Sequence, residues 1–255
     1  MSANKNYATA NRPLLGIVIA ALVLLWSASA WAAPEHRVFA ELLTKYNRNG
    51  VVDYAGFKKE EARLDAYLDE LAKVKPDTLS RNDRFAFYTN AYNAWTIKLI
   101  LSGYPGVKSI KDLGSFFKSP WKKEFVRLGG EVITLDAIEH DILRPKFKDP
   151  RVHVAVNCAS KSCPSLWGEP FIGSRLDAQL NAATRAFINN PKFNRLENNT
   201  LYVSRIFKWF SEDFNDNIIG FVEQYASGEL KNTLTARRSS LEVEYLDYDW
   251  SLNGN

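Results

Sequence analysis

"SRNDRFAFYTNAYNAWTIKLIL", Ser80 to Leu101, is the segment on which the fold turns. Gly103 and Pro105 mark a helix stop just beyond it, and from Phe85 onward the segment is apolar nearly all round. A helix of that composition is buried on most of its sides, so the rest of the chain must wrap around it. Asn90 and Asn93 lie one turn apart on this helix, with Thr96 a further turn along. A buried amide left unpaired costs about 1 to 3 kcal/mol. These asparagines therefore either tie the helix to a neighbouring loop or contribute directly to a ligand site.

Upstream, His36 to Tyr46 carries apolar residues at 39, 42, 43 and 46, a helical stripe, and Asn49-Gly50 turns the chain into the short extended piece Val51 to Tyr54. A second amphipathic helix follows, with Phe57, Leu64, Tyr67, Leu68 and Leu71 on one side. Downstream, Gly129-Gly130 in "FVRLGGEVI" predicts a hairpin. Thr134 caps a short helix, Leu135 to Leu143, which Arg144-Pro145 is expected to close. His140 and Arg144 share a face of it, four residues apart. "RVHVAVN" reads as a strand by its valines. Ser174 opens another amphipathic helix, Asn198-Asn199 turns a second hairpin, a helix runs from Asp216 to Tyr225, and "LEVEYLDYDW" alternates as a strand. Helices and antiparallel pairs without a repeating strand-helix unit define an α+β domain, its central buried helix packed on a mainly antiparallel sheet.

The first residues read as an export signal: Lys5 and Arg12 precede the apolar run Leu14 to Trp26, and Ala30-Trp31-Ala32 gives a cleavage pattern after Ala32. The expected arrangement is a signal peptide over residues 1–32 and one domain over 33–255. This makes the protein periplasmic or secreted, the alternative being inner-membrane anchoring through an uncleaved segment. Without the leader, 31 basic side chains face 29 acidic ones and no block of like charge remains, which argues against nucleic acid as a partner. No membrane contact is expected beyond the leader. A hydrophobic content of 46 % with 13 % aromatic is ample for one packed core.

Chemistry concentrates in "HVAVNCASKSCPS", His153 to Ser165, which holds both cysteines. As one extended strand, five residues at about 3.3 Å each would separate His153 from Cys158 by roughly 16 Å, with the two side chains on opposite faces. That disfavours the simplest thiol dyad, leaving His140 as a base for Cys158, or His153 for Cys163 if the loop folds back. An exported chain also permits a Cys158–Cys163 disulfide, since the short loop reaches the required separation. His140, His153, Cys158 and Cys163 supply metal-ligand types, but no CxxC or HxxxH pair places two on one turn, so no metal and no cofactor is assigned. Arg144 and Arg151 flank a Pro-bounded loop and are candidate carboxylate ligands, with Ser160 a further polar candidate. Glu212 and Asp213 form a potential acid pair, read by default as solvated or capping. Trp209, Phe210, Tyr248 and Trp250 are read first as core, with a sugar or peptide groove as the alternative.

"NAYNAWT", "LDAIEHDILRP", "DPRVHVAVNCASKSCPSL", "IFKWFSEDF" and "YDWSLN" occur in that order along the chain. Together they resemble the bacterial branch of the domain-of-unknown-function 547 family, from about Tyr46 to Asn253. The resemblance implies an exported single-domain protein and supplies no reaction. It also implies that the positions of Asn90, Asn93, His153 and Cys158 recur, and that of Cys163 less regularly. The order of a buried helix followed by a histidine segment is similar to papain-like and transglutaminase-like layouts, an analogy of architecture alone. Two functions stay open at this stage. One is a binding or degenerate-enzyme module for an envelope peptide, glycan or protein; the other is a cysteine-dependent hydrolase or acyl transferase acting on a peptide or amide.

Overall fold

The computed structural model describes residues 1–2, 35–115 and 117–254. The leader predicted over residues 1–32 lies, from residue 3 onward, outside the described residues, as does the expected domain boundary. The chain divides into the units Met1–Ala30 and Trp31–Asn255, and the helices and strands of the described residues all lie in the second. Among the described residues no helix is long and apolar enough to cross a membrane.

The central helix spans Arg81–Leu101. Ser80 caps it by accepting the Asp83 amide at 3.2 Å, satisfying one of the free donors of the first turn. From Phe85 to Leu101 every side chain except Lys98 is buried. Its principal neighbours are helices: Tyr54–Lys59, Glu61–Lys73, the π-helical turn Ala137–Leu143 and the tight turn Gly173–Arg175. The hairpin Val126–Ile133 reaches it through Phe125, which meets Trp95 edge to face at 5.6 Å. The α+β class and the buried helix agree with the sequence reading, but the expected backing sheet is replaced by this helical shell. The strands run for only two to four residues each, too short to cover a helix of 21 residues.

The strands form three small sheets. Asn47–Arg48 pairs with Val51–Val52 across the Asn49-Gly50 turn, and Val126–Leu128 with Glu131–Ile133 across Gly129-Gly130. Both glycines of the second turn have positive φ, 62° and 87°, as a tight hairpin requires. Asn194–Glu197 pairs antiparallel with Thr200–Val203, which takes Glu242–Tyr245 alongside in parallel. The expected terminal strand therefore covers only its first part; residues 246–253 leave the sheet and run back across the molecule. Leu252 donates to the Lys108 carbonyl, Asn253 to the Ala159 carbonyl, and Val52 to the Asn253 carbonyl.

Two apolar clusters fill the unit. One surrounds the central helix, with Leu42, Phe57, Leu64, Val126 and Ile138; the other gathers Phe187, Leu201, Phe207, Phe214 and Val222. The segment carrying His153 lies at their seam, because Val152 and Ala155 belong to the first cluster and Val154 to the second.

That segment is the main departure from the sequence reading. Val152–Ala155 is a helical turn, not a strand. The Asp149 carboxylate accepts the Arg151 amide at 3.0 Å, Pro150 sets the first-turn φ, and the Ala155 amide closes on the Arg151 carbonyl at 3.1 Å. Local capping and burial on two fronts override the β preference of the valines. The predicted stop at Arg144-Pro145 also differs: the chain continues as Arg144–Phe147. The wide turn before it has the Arg144 amide bonding to the Glu139 carbonyl, five residues back, which loosens the turn into which Pro145 must fit.

Candidate functional site

The two buried asparagines explain how the Cys158 loop is held. Asn90 donates from Nδ2 to the Phe171 carbonyl at 2.8 Å and accepts the Phe171 amide at 2.9 Å. Asn93 does the same one turn later, donating to the Ala155 carbonyl at 2.9 Å and accepting the Asn157 amide at 2.8 Å. Each amide stands in for a strand partner, docking a loop onto a helix. Both side chains thus tie the helix to neighbouring loops, one of the two roles the sequence allowed. Asn157 continues the scaffold, donating to the Pro164 carbonyl and accepting from the Ala159 amide and from Asn253. Ala159 then turns the chain with φ of 59°, a left-handed conformation that costs a non-glycine residue about 1 kcal/mol.

This scaffold places Cys158 and His153 in the wall of one cavity of about 220 Å³, together with Tyr92, Glu139, His140 and Cys163. The predicted strand would have kept Cys158 and His153 on opposite faces. The helical turn followed by extended Val156 instead brings both to the same space.

Cys158 is partly exposed, with Tyr248 Oη 3.2 Å and Ser160 Oγ 3.3 Å from its Sγ. Ser160 donates to Tyr248 Oη at 3.0 Å, leaving the tyrosine proton for the sulfur. Cys163, then the two hydroxyls, hold the Cys158 thiol below its ordinary value against burial and the nearby Glu139 charge. Cys163 is buried, and that burial, followed by the neighbouring Cys158, pushes its own thiol up. Negative charge in this pair therefore belongs on Cys158. No bond joins the two sulfurs in this structure, where the sequence left a disulfide open, and the Cys158 amide donates to Cys163 Sγ at 3.0 Å.

His153 is 3 % exposed and stacks on Phe210 at 4.0 Å between ring centroids. Its Nε2 meets Asp213 Oδ2 at 2.6 Å, and Nδ1 faces Glu139 Oε1 at 3.8 Å. Burial alone would raise the Asp213 carboxyl, but hydrogen bonds from His153 and Arg144 bring it far below the ordinary range. His140 has a different role. Arg144 Nη1 lies 2.9 Å from His140 Nδ1, and a guanidinium only donates, so Nδ1 accepts and the ring proton sits on Nε2. In that tautomer His140 presents a donor at Nε2.

The arginines predicted as carboxylate ligands are already engaged. Arg144 binds Asp213 and Glu212, each at 2.6 Å. Arg151 binds Asp149, Asp177 and Asn181. Ser160 is buried behind the sulfur. Among the described residues, no three His, Cys, Asp or Glu side chains are grouped to hold a metal ion.

The sequence reading gave little weight to Glu139, to Asp213 or to the aromatic rim that includes Tyr248, all of which line the cavity or hold a residue that does. Trp209, Tyr248 and Trp250 form a mutually contacting triangle, Tyr248 tilted against the two indoles at 4.7 Å and 4.5 Å and the indoles stacked at 5.7 Å, and Trp121 meets Trp250 edge to face at 5.7 Å. All four line the cavity, and Trp209 is 44 % exposed at its mouth. The density of aromatic and acidic residues in "KWFSEDF" and "YLDYDW" was the available signal, but its pairing with Cys158 spans some 90 residues.

The span from the central helix through His140, His153 and both cysteines is also what a family comparison detects. Residues 76–188 match the DUF547 family model. Its description reads "Protein of unknown function, DUF547", and the match supports the family resemblance read from the sequence motifs. No curated protein and no solved structure matches the chain. The DUF547 span contains Asn90, Asn93, Glu139, His140, His153, Cys158 and Cys163, whereas Trp209, Asp213, Tyr248 and Trp250 lie beyond it. The cavity is therefore built from the DUF547 segment on one side and later sequence on the other.

Proposed function

We propose that the chain is an exported cell-envelope protein whose cavity performs cysteine-dependent acyl transfer or amide hydrolysis. The observation carrying this reading is the shared cavity, whose wall holds both a partly exposed, hydrogen-bonded Cys158 and a buried His153 whose Nε2 is held by Asp213. Asp213 fixes the orientation of the His153 ring, as a carboxylate does in a nucleophile–histidine–acid arrangement. The Cys158 thiolate adds to a carbonyl carbon, forming a C–S bond. Collapse breaks the C–N bond, and the leaving amine takes a proton from His153. Water, deprotonated by His153, then cleaves the thioester and regenerates the thiolate; an amine in place of water gives transfer. His140 Nε2–H is a donor available to the developing oxyanion.

A second reading, a binding or degenerate module, draws on one observation. The amides of Asn157, Cys158 and Ala159 are all engaged, by Asn93, Cys163 and Asn157 respectively, so no backbone oxyanion hole stands ready at the sulfur. Alkylation separates the two. The catalytic reading expects iodoacetamide to label Cys158 selectively near pH 6, and Cys158→Ser to abolish turnover of peptide-amide substrates. Labelling no faster than that of a free cysteine would sink it.

A further inference from the structure

The charge pattern of the cavity goes further than its nucleophile. Its walls carry the carboxylates of Asp136 and Glu139 and the rings of Trp121, Trp209, Tyr248 and Trp250, but no lysine or arginine. Asp136 is part-exposed, and among the described residues its only charge partner within 4.0 Å is His140, at that limit. At 4.0 Å the His140 ring lies beyond hydrogen-bond reach of Asp136. Arg144 stands behind this wall, committed to Asp213, Glu212 and His140. The cavity thus combines the Asp136 carboxylate, which no lysine or arginine of the lining answers, with several aromatic faces, and an organic cation is the ligand class that suits both. One ring already shows the preference: Lys111, which does not line the cavity, places Nζ 3.9 Å from the Trp250 centroid.

We infer that this cavity binds an alkylammonium group, so that the substrate of the proposed reaction presents a basic side chain or free amine beside its reacting carbonyl. This rests on the acyl-transfer reading for its biological meaning, but the binding itself does not need the thiol. At about 220 Å³ the cavity accommodates a lysine-sized chain and not a folded partner. A primary amine and a quaternary ammonium share the same chemistry and differ in what Asp136 contributes. A primary amine hydrogen-bonds to the carboxylate, whereas a quaternary group uses only charge and the ring faces.

The test uses the Cys158→Ser protein, which cannot react, titrated with four probes while tryptophan fluorescence is followed. The probes are Nα-acetyl-lysine methylamide, its neutral counterpart Nα-acetyl-norleucine methylamide, choline, and the neutral isostere 3,3-dimethylbutanol. We expect at least one cation to bind fivefold or more tighter than its neutral counterpart, with a preference that falls as salt is raised. Asp136→Asn should remove a lysine preference and reduce a choline preference. Trp209→Leu should weaken both cations, while circular dichroism confirms that each variant is folded. Equal binding of charged and neutral probes, no binding of any probe, or a preference undiminished in Asp136→Asn would overturn the inference. A cation preference in a protein whose Cys158 proves unreactive would leave the ammonium site standing and refute the catalytic reading alone.

Discussion

Replacing Tyr248 with phenylalanine isolates the chemistry of Cys158 from its packing. The ring keeps its tilted contacts with Trp209 and Trp250, at 4.7 Å and 4.5 Å, and only the hydroxyl 3.2 Å from Sγ is removed. A hydrogen bond to a charged group is worth about 1.5 to 3 kcal/mol, and the length of this contact argues for the lower end. Since about 1.4 kcal/mol is a factor of ten in a protonation equilibrium, the thiolate fraction at a fixed pH below the transition should fall by up to about tenfold. Ser160 moderates the loss, because the hydroxyl it now donates to Tyr248 becomes available to the sulfur 3.3 Å away. Tyr248→Phe alone should therefore show a smaller drop, and Ser160→Ala combined with Tyr248→Phe a larger one than either alone. The assay is the rate of iodoacetamide labelling from pH 5 to 9, with the Cys158 and Cys163 peptides separated by mass spectrometry. The variant profile should move to higher pH and converge with wild type at the alkaline plateau. A Tyr248→Phe profile that superimposes on wild type, or rises at low pH, refutes the claim that the hydroxyl stabilises the thiolate.

Other consequences arise from the same contacts. Asn93→Ala leaves the Ala155 carbonyl and Asn157 amide unpaired in the core; at about 1 to 3 kcal/mol for each orphaned group, urea denaturation should show a loss of about 2 to 6 kcal/mol. The depressed Asp213 carboxyl contributes stability that is present above its unfolded value, about 3.9, and lost as pH falls through its lower folded value. Urea midpoints of Asp213→Asn should thus lie below wild type at pH 7, with the gap narrowing below about pH 4. Diamide treatment should join Cys158 to Cys163, remove two hydrogens by mass and block labelling until dithiothreitol is added; two thiols still free after treatment would show that the loop cannot bring the sulfurs together.

The sequence reached the fold class, the buried helix, both glycine- and asparagine-turned hairpins and the loop that carries the thiols, because periodicity and turn chemistry are local. It failed where tertiary contacts overrode local preference. The valines of "RVHVAVN" favour a strand in isolation, but Asp149 and Pro150 start a helical turn that two separate apolar clusters then enclose. That single error carried through to the chemistry, since strand parity separated His153 from Cys158. The arginines looked like ligands because their carboxylate partners lie as far as 69 residues away. Asp213 looked like a solvated turn residue for the same reason.

Residues 246–253 have a consequence for biogenesis. They leave the last strand, bring Tyr248 and Trp250 to the thiol, and anchor through Asn253 to Asn157 and to Tyr54. Until this stretch has emerged and docked, Cys158 lacks both its tyrosine donor and one wall of its cavity. The order of synthesis therefore withholds the Tyr248 hydroxyl from Cys158 until the fold closes.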